Sequence, residues 1–67
     1  MSNDIEELEN LKSVFQKCAD IVGKCIELAK KIDETEDEEE IKKLNEEVEN
    51  QTGLLMVQMI KLNKLSK

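Results

Sequence analysis

The chain has 67 residues, a formal net charge of −6 at pH 7 from sixteen acidic and ten basic residues, and a single aromatic side chain, Phe15. A chain of this length forms one domain at most and buries only about 60% of its unfolded surface, so oligomerisation is a common way to stabilise it. The acidic balance disfavours direct binding to nucleic acids and to anionic membranes. Because the sequence has no histidine, no glycine-rich phosphate loop and no nucleophile beside a base, we expect no enzyme, no cofactor and no metal site.

The sequence contains no stretch typical of a signal peptide or a membrane span. Polar residues follow Met1, and the longest apolar run, Leu54 to Val57, is far shorter than the about 20 residues that cross a bilayer. Cys18 and Cys25 lie seven residues apart in one predicted helix, with roughly 10 Å between their Cα atoms, which is too far for a disulfide. We therefore expect an intracellular, cytoplasmic protein whose two thiols are free and serve as small packing side chains.

The first predicted element is a long amphipathic helix over about residues 4–32. Apolar residues recur at alternating spacings of three and four, at Leu8, Leu11, Phe15, Cys18, Val22, Cys25, Ala29 and Ile32. This spacing is the heptad pattern of a coiled-coil helix, and it excludes a strand, which needs a period of two. Asn3 or Asp4 is expected to cap the helix, with an acidic residue three positions later. A single helix cannot bury such a stripe alone, so other helical surface has to cover it.

An acidic run, residues 33–40, follows the first stripe and predicts a turn at about 33–35. Continuing the heptad would place charged residues in the apolar stripe, so the first stripe ends here. Thr35 and Glu38 have the spacing of a capping box at the start of a helix. Acidic side chains in the first turn of a helix stabilise it by about 0.3–1 kcal/mol each. We therefore predict a second helix over about 36–65.

The second predicted helix carries its own apolar stripe, out of phase with the first, at Ile41, Leu44, Val48, Leu55, Leu62 and Leu65. Two polar residues, Gln51 and Gln58, occupy positions in the middle of this stripe. Polar residues at such positions fix the register or the oligomeric state of a helical assembly, at some cost in stability.

A short connection forces neighbouring helices to run antiparallel, so the sequence predicts an αα-hairpin. Placing Ile32 opposite Ile41 brings Cys18 opposite Leu55 in the middle of the hairpin. Two alternatives stay open. One is a single continuous helix, because neither glycine nor proline enforces the break. The other is a three-helix chain in which Gly53 ends the middle helix.

The apolar surface is wider than one hairpin needs, and we predict that the excess forms an oligomer or partner interface. The first helix carries one line of such residues on each flank of its stripe, and the second helix is apolar almost all round near its C-terminal end. The predicted interface residues are Val14, Ile21 and Leu28 on one flank, Ala19, Gly23 and Ile26 on the other, and Leu54, Met56, Val57, Met59 and Ile60 on the second helix.

The sequence thus predicts an all-α, coiled-coil-like antiparallel hairpin that pairs into a four-helix bundle. The first functional hypothesis is a non-enzymatic protein–protein interaction or self-assembly module, acting as a homodimer or with other helical proteins. The alternative is a small acidic regulator that blocks a basic, nucleic-acid-type site on a partner protein. Its contact surface would be the run Glu36, Asp37, Glu38, Glu39 and Glu40.

Overall fold

The computed structural model describes the backbone of residues 2–65 and the side chains of residues 3–65. Within these residues the chain forms two α-helices, α1 (Ser2–Glu34) and α2 (Glu38–Leu65), and contains no strand. The helices pack against each other as a helical hairpin, which confirms the all-α hairpin part of the predicted fold class.

The hairpin is a single layer of two helices. Its principal extents are 55 × 15 × 10 Å and its radius of gyration is 15.9 Å. A compact domain of this length has a radius of gyration of about 11 Å. The accessible surface is 5676 Å², whereas a compact monomeric protein of the same mass exposes about 4,300 Å². The chain on its own therefore leaves much more surface exposed than a globular protein does.

The helix α1 ends later than predicted because Thr35 continues its last turn. The Thr35 backbone N–H donates to the Ile32 carbonyl oxygen at 3.2 Å, and its hydroxyl donates to the Lys31 carbonyl oxygen at 2.6 Å. Thr35 therefore satisfies carbonyl groups at the C-terminal end of α1. The predicted capping box of Thr35 and Glu38 is wrong, since this hydroxyl is engaged with the preceding helix.

Asp37 begins the second helix in place of Thr35. Its carboxylate oxygen Oδ1 accepts a hydrogen bond from the Glu39 backbone N–H at 3.2 Å, and its carbonyl oxygen accepts one from the Ile41 N–H at 3.0 Å. This is the geometry of an N-cap residue. The turn consequently spans residues 35–37 instead of the predicted 33–35, and Glu38 begins α2.

The alternatives to a hairpin are excluded within the described residues. The chain reverses at 35–37, so it is not one continuous helix. The helix α2 runs through Gly53 without interruption, and neither glycine has a positive φ, so there is no third helix. At the other end, Asn3 and Asp4 lie inside α1, which begins earlier than the predicted cap.

The two helices meet along one stripe from each. On α2 the stripe is as predicted from Ile41 to Leu62, with Gln51 buried and Gln58 half-buried among the apolar residues, whereas the last predicted residue, Leu65, is exposed. On α1 the covered residues are the inner stripe, Leu11, Val14, Cys18, Ile21, Cys25, Leu28 and Ile32. The predicted α1 stripe shares every second residue with the inner stripe, but its other residues are exposed, namely Leu8, Phe15, Val22 and Ala29. The helix is turned by about 50° around its axis relative to the prediction.

Opposite charges accompany this rotation of α1. Lys24 and Lys31 line one groove together with Glu47 of α2. Such complementary charges beside a helical interface help to set how two helices are oriented. The pairing nevertheless encloses little core: Val14, at 7% exposure, is the only buried apolar residue among those described, and no described side chain is fully buried.

Candidate interaction surface

Apolar side chains cover much of the hairpin's surface. Eleven large apolar residues are exposed within the described chain, namely Ile5, Leu8, Phe15, Val22, Ile26, Leu54, Met56, Val57, Met59, Ile60 and Leu65. Monomeric proteins rarely expose contiguous apolar patches larger than about a few hundred Å². The arrangement of these residues shows whether they are scattered or form a surface.

Most of the exposed apolar residues of α1 form one continuous stripe. The outer stripe consists of Ile5, Leu8, Phe15, Ala19, Val22, Ile26 and Ala29. It follows the same alternating spacing as the inner stripe, with Lys12 as its one interruption. The outer stripe is about 36 Å long and lies about 100° around the helix from the inner stripe. Phe15, near its middle, is 54% exposed.

Residues of α2 extend this surface. Met56, Met59 and Ile60 line a shallow groove together with Asn63. Met59 follows its stripe residue Leu55 by four positions, as Phe15 follows Leu11 in α1. Since the helices are antiparallel, these corresponding positions lie on the same side of the hairpin. We call the outer stripe together with Met56, Met59 and Ile60 the outer face.

The predicted interface residues therefore separate into three groups. Val14 is buried and Ile21 and Leu28 are half-buried in the inner stripe, so they pack within the hairpin and do not form an outer flank. The physical reason is the rotation of α1 that turns this line towards α2. The second group is exposed on or beside the outer face and comprises Ala19, Gly23, Ile26, Met56, Met59 and Ile60.

The third group, Leu54 and Val57, is exposed on the opposite side of α2. Leu54 precedes the stripe residue Leu55 by one position, which places it on the side of the hairpin where Lys24 and Lys31 lie. Two faces of α2 thus carry apolar residues, but only the outer face joins a long apolar stripe of α1.

Small residues flank Phe15 on the outer face. Ala19 is one helical turn away from Phe15 and is exposed. At Gly23 an added Cβ would meet nothing within 4 Å, so the space above this residue is open in the hairpin. The outer face therefore carries one bulky aromatic ring beside residues whose side chains are small or absent.

Polar side chains inside the hairpin lie where the sequence predicted them. The Gln51 side chain is 7% exposed, and its Nε2 donates to Glu47 Oε1 at 3.3 Å. The buried Oε1 of Gln58 accepts no hydrogen bond within the described part of the chain. An unpaired buried polar atom costs about 1–3 kcal/mol. These two residues keep the inner interface from being fully apolar and weaken it.

The acidic run lies at the turn, away from the apolar part of α2. The five carboxylates of residues 36–40 are exposed, and that of Asp37 accepts the capping hydrogen bond. Within residues 2–65 no group of three or more acidic, cysteine or histidine side chains is arranged to hold a metal ion. The thiols of Cys18 and Cys25 are free and half-buried in the inner stripe.

Two further observations bear on function. Neither helix of the described chain combines the length and the hydropathy that are needed to cross a membrane. No protein-family model, curated protein or solved structure matches this chain. The function is therefore argued from the outer face itself.

Sequence reasoning missed the assignment of Leu8, Phe15 and Val22 to the outer face. The signal was present, because two equally regular stripes run along α1 and share no residue once the inner stripe is identified. The predicted stripe and the inner stripe have four residues in common, Leu11, Cys18, Cys25 and Ile32. Apolar residues at heptad spacing lie on both sides of this common line. The spacing alone does not say which flank faces α2.

Proposed function

We propose that this protein is a non-enzymatic helical interaction and self-assembly module that works through its outer face. The observation that supports this proposal is a long exposed apolar stripe on a hairpin with one buried apolar residue among those described. A surface of this kind is typical of a site that another helix covers.

The exposed area is of the size that a stable assembly needs. Two copies, each exposing 5676 Å², would have to bury about 4,000 Å² in total to become as compact as a monomeric protein of twice the mass. Obligate homodimers commonly bury about 2,000–5,000 Å². The surplus surface of the hairpin therefore matches a dimer interface.

The width of the apolar arc supports the same proposal. A helix that contacts one neighbour needs a narrow stripe, as in a two-stranded coiled coil. A helix in a bundle has a wider apolar face because it contacts two neighbours. The helix α1 has this wider face, of which α2 covers the inner stripe only.

Sedimentation equilibrium over a range of concentrations, with circular dichroism on the same samples, tests the proposal. We expect a dimer or a larger oligomer at micromolar concentration and a loss of helical signal on dilution, because the isolated hairpin has little core. A fully helical monomer at every concentration would contradict self-assembly.

A second hypothesis is the acidic regulator of a basic partner site. One observation favours it: five consecutive exposed carboxylates project at the turn, separate from the outer face. Recognition through this surface would weaken steeply with salt, whereas burial of the outer face depends little on ionic strength. Salt dependence of binding therefore separates the two hypotheses.

A further inference from the structure

We propose that the partner of the outer face is a second copy of this chain, related by a two-fold axis that places the two turns at opposite ends of a four-helix bundle. In this arrangement α1 lies against α1 of the second copy, and the C-terminal half of α2 lies against the same part of its counterpart. This inference rests on the proposed function and adds the identity of the partner and its orientation.

The outer stripe is complementary to itself when two copies run in opposite directions. A two-fold axis makes each contact occur twice, with the two residues exchanged between copies. When the outer stripes of two antiparallel copies are aligned about residue 17, each stripe residue of one copy faces a stripe residue of the other. The facing pairs are Ile5 with Ala29, Leu8 with Ile26, Lys12 with Val22, and Phe15 with Ala19. Large side chains thus meet small or aliphatic ones along the whole stripe.

In the central layer, the bulky side chain of one copy faces a small side chain of the other. The Phe15 ring of each copy lies over Ala19 of the other, and Gly23 lies one helical turn beyond Ala19 on the flank of this contact. The open space at Gly23, where an added Cβ would meet nothing within 4 Å, leaves room for this approach. Complementary packing of a bulky side chain against small residues is what close helix pairing requires.

Lys12 is the one charged residue within the stripe, and the pairing tolerates it. A lysine stem covers apolar surface while its ammonium group stays in water. Lys12 lies opposite Val22, in the layer next to the central one, and its stem can cover the valine side chain. It meets no second lysine in this orientation.

Charge complementarity selects the antiparallel orientation. Glu9 and Lys30 flank the outer stripe and are exposed. In the antiparallel pair Glu9 of one copy and Lys30 of the other lie on the same flank of the stripe, with their Cα atoms offset by about 7.5 Å along the axis. Both long side chains lean towards the N-terminus of their own helix and therefore towards each other, and the two-fold axis forms this pair twice. In a parallel pair Lys12, which lies within the stripe, would face Lys12 of the second copy, so like charges would meet. Juxtaposed like charges disfavour an interface.

The helix α2 shares the same axis. Antiparallel pairing of its outer positions sets Met56 against Met59 of the second copy, so the axis passes between residues 57 and 58, and Ile60 lies on the flank of this contact. The axis of the α1 pairing lies level with residue 17. In the hairpin, Leu8 and Leu11 share a groove with Leu65, and Val14 shares one with Lys61, so residue 17 of α1 is level with about residues 56–59 of α2. The pairings of the two helices are therefore compatible with one axis.

The position of the axis near the C-terminal end of α2 also accounts for the uneven composition of this helix. With the axis at 57–58, α2 overlaps its counterpart only from about residue 49 onwards, because the hairpins are displaced towards their open ends. The exposed apolar residues of the outer face on α2 begin at Met56, and the preceding half is charged. Leu54 and Val57 lie outside this interface, and the pairing does not explain them.

The first test exchanges the flanking charges. Glu9→Lys alone or Lys30→Glu alone places like charges opposite each other twice per dimer, and we expect each to raise the dimer dissociation constant about tenfold at low salt. An equal mixture of the two variants should form heterodimers in preference to homodimers, since opposite charges then meet at both places. Native mass spectrometry and sedimentation measure this preference.

The matched control uses Asp20→Lys and Lys43→Glu, which change the net charge equally but lie away from the outer face. A mixture of these controls should form homodimers and heterodimers statistically. If the control mixture shows the same preference, net charge is the cause and the proposed geometry is overturned. If the Glu9 and Lys30 variants assemble like the wild type and mix statistically, it is overturned as well.

The second test measures the orientation directly. Spin labels on Glu36→Cys, with Cys18 and Cys25 replaced by Ala, should lie about 55 Å apart across the dimer, since each turn is at an opposite end of helices that rise 1.5 Å per residue. A distance of about 30 Å or less in a dimer would place the turns together. That result overturns the orientation and leaves self-assembly standing, whereas a helical monomer by sedimentation overturns both. If the thiol-free variant does not fold, the charge exchange decides, because it leaves the inner stripe intact.

Discussion

The inner and the outer stripe of α1 are alike in sequence and different in structure. Both are apolar and both repeat with the same alternating spacing over most of the helix. The inner stripe is covered by α2 and includes the one buried apolar residue of the described chain, Val14. Leu8 and Phe15 of the outer stripe are more than half exposed. The helix α1 therefore carries two apolar stripes, of which the hairpin covers one.

The two stripes also differ in what flanks them. Beside the inner stripe, Lys24 and Lys31 line a groove with Glu47 of the same chain. Beside the outer stripe, Glu9 and Lys30 are exposed. In the proposed dimer these two flanking charges pair with each other across the two copies.

The largest expected effect comes from a charge in the inner stripe. Ile21→Glu places a carboxylate between α1 and α2, which we expect to cost about 3 kcal/mol or more because the charge loses water without gaining a partner. The hairpin should unfold at every concentration, as measured by circular dichroism. A helical monomer carrying this substitution would mean that the inner stripe is not what holds the hairpin together.

The same charge on the outer face should separate assembly from folding of the hairpin. Ile60 is 57% exposed, so Ile60→Glu would cost only about 0.5 kcal/mol in an isolated hairpin. In a bundle it would cost several times more, and we expect the oligomer to dissociate and much of the helical signal to be lost. Asn50→Glu, an exposed residue of the same helix away from the outer face, is the control and should assemble normally. An intact oligomer with Ile60→Glu would place the interface elsewhere.

These two substitutions mark what sequence can and cannot predict here. Two helices, their antiparallel pairing and the stripe of α2 follow from spacing and charge, and the structure confirms them. The position of Ile21 did not follow, because the lines through Ile21 and through Val22 are equally regular. Which line faces α2 depends on how the whole helix rotates, and no local pattern encodes that rotation.

The turn shows the same limit on a smaller scale. Thr35 and Glu38 have the spacing of a capping box, and so do Asp37 and Glu40. Aspartate is the slightly better N-cap residue, and Asp37 takes this role. Thr35 instead finds an acceptor in the carbonyl of Lys31, one turn earlier in α1. The two capping motifs overlap in sequence, and the position at which the chain turns determines which of them caps α2.

The cysteines test whether the inner stripe works through packing alone. Replacing Cys18 and Cys25 together by Ala removes two half-buried sulfur atoms, which we expect to cost about 2 kcal/mol through lost contacts. Denaturant unfolding measures the loss, and the mass of the assembly should not change at concentrations where the wild type is fully assembled. Bound metal that disappears with these thiols would show a role other than packing.

The glycines offer a matched pair with smaller effects. An added Cβ meets nothing within 4 Å at either Gly23 or Gly53. Gly53→Ala should stabilise the protein by about 0.5–1 kcal/mol, because alanine is the better helix former. Gly23→Ala should give less, or should destabilise, because the second copy approaches closely there. Equal stabilisation of both variants in thermal unfolding would argue against a close approach at Gly23.

The smallest effect is expected at the acidic run. Changing Glu38, Glu39 and Glu40 to Gln removes three exposed charges from the first turn of α2, which weakens the favourable interaction with the helix dipole by about 0.3–1 kcal/mol per residue. Lower repulsion among neighbouring carboxylates offsets part of this loss, and sedimentation should show an unchanged oligomer. A folded variant that no longer binds a basic partner would instead favour the acidic-regulator hypothesis.

The single aromatic residue provides the most direct measurement of the central claim. Because Phe15 is the only phenylalanine, one 4-fluorophenylalanine label gives one fluorine resonance from the middle of the outer stripe. We predict a solvent isotope shift typical of a buried ring at high protein concentration, and an exposed ring that appears on dilution as the assembly dissociates. An exposed ring at every concentration, with helical content unchanged, would contradict the claim that a second copy covers the outer face.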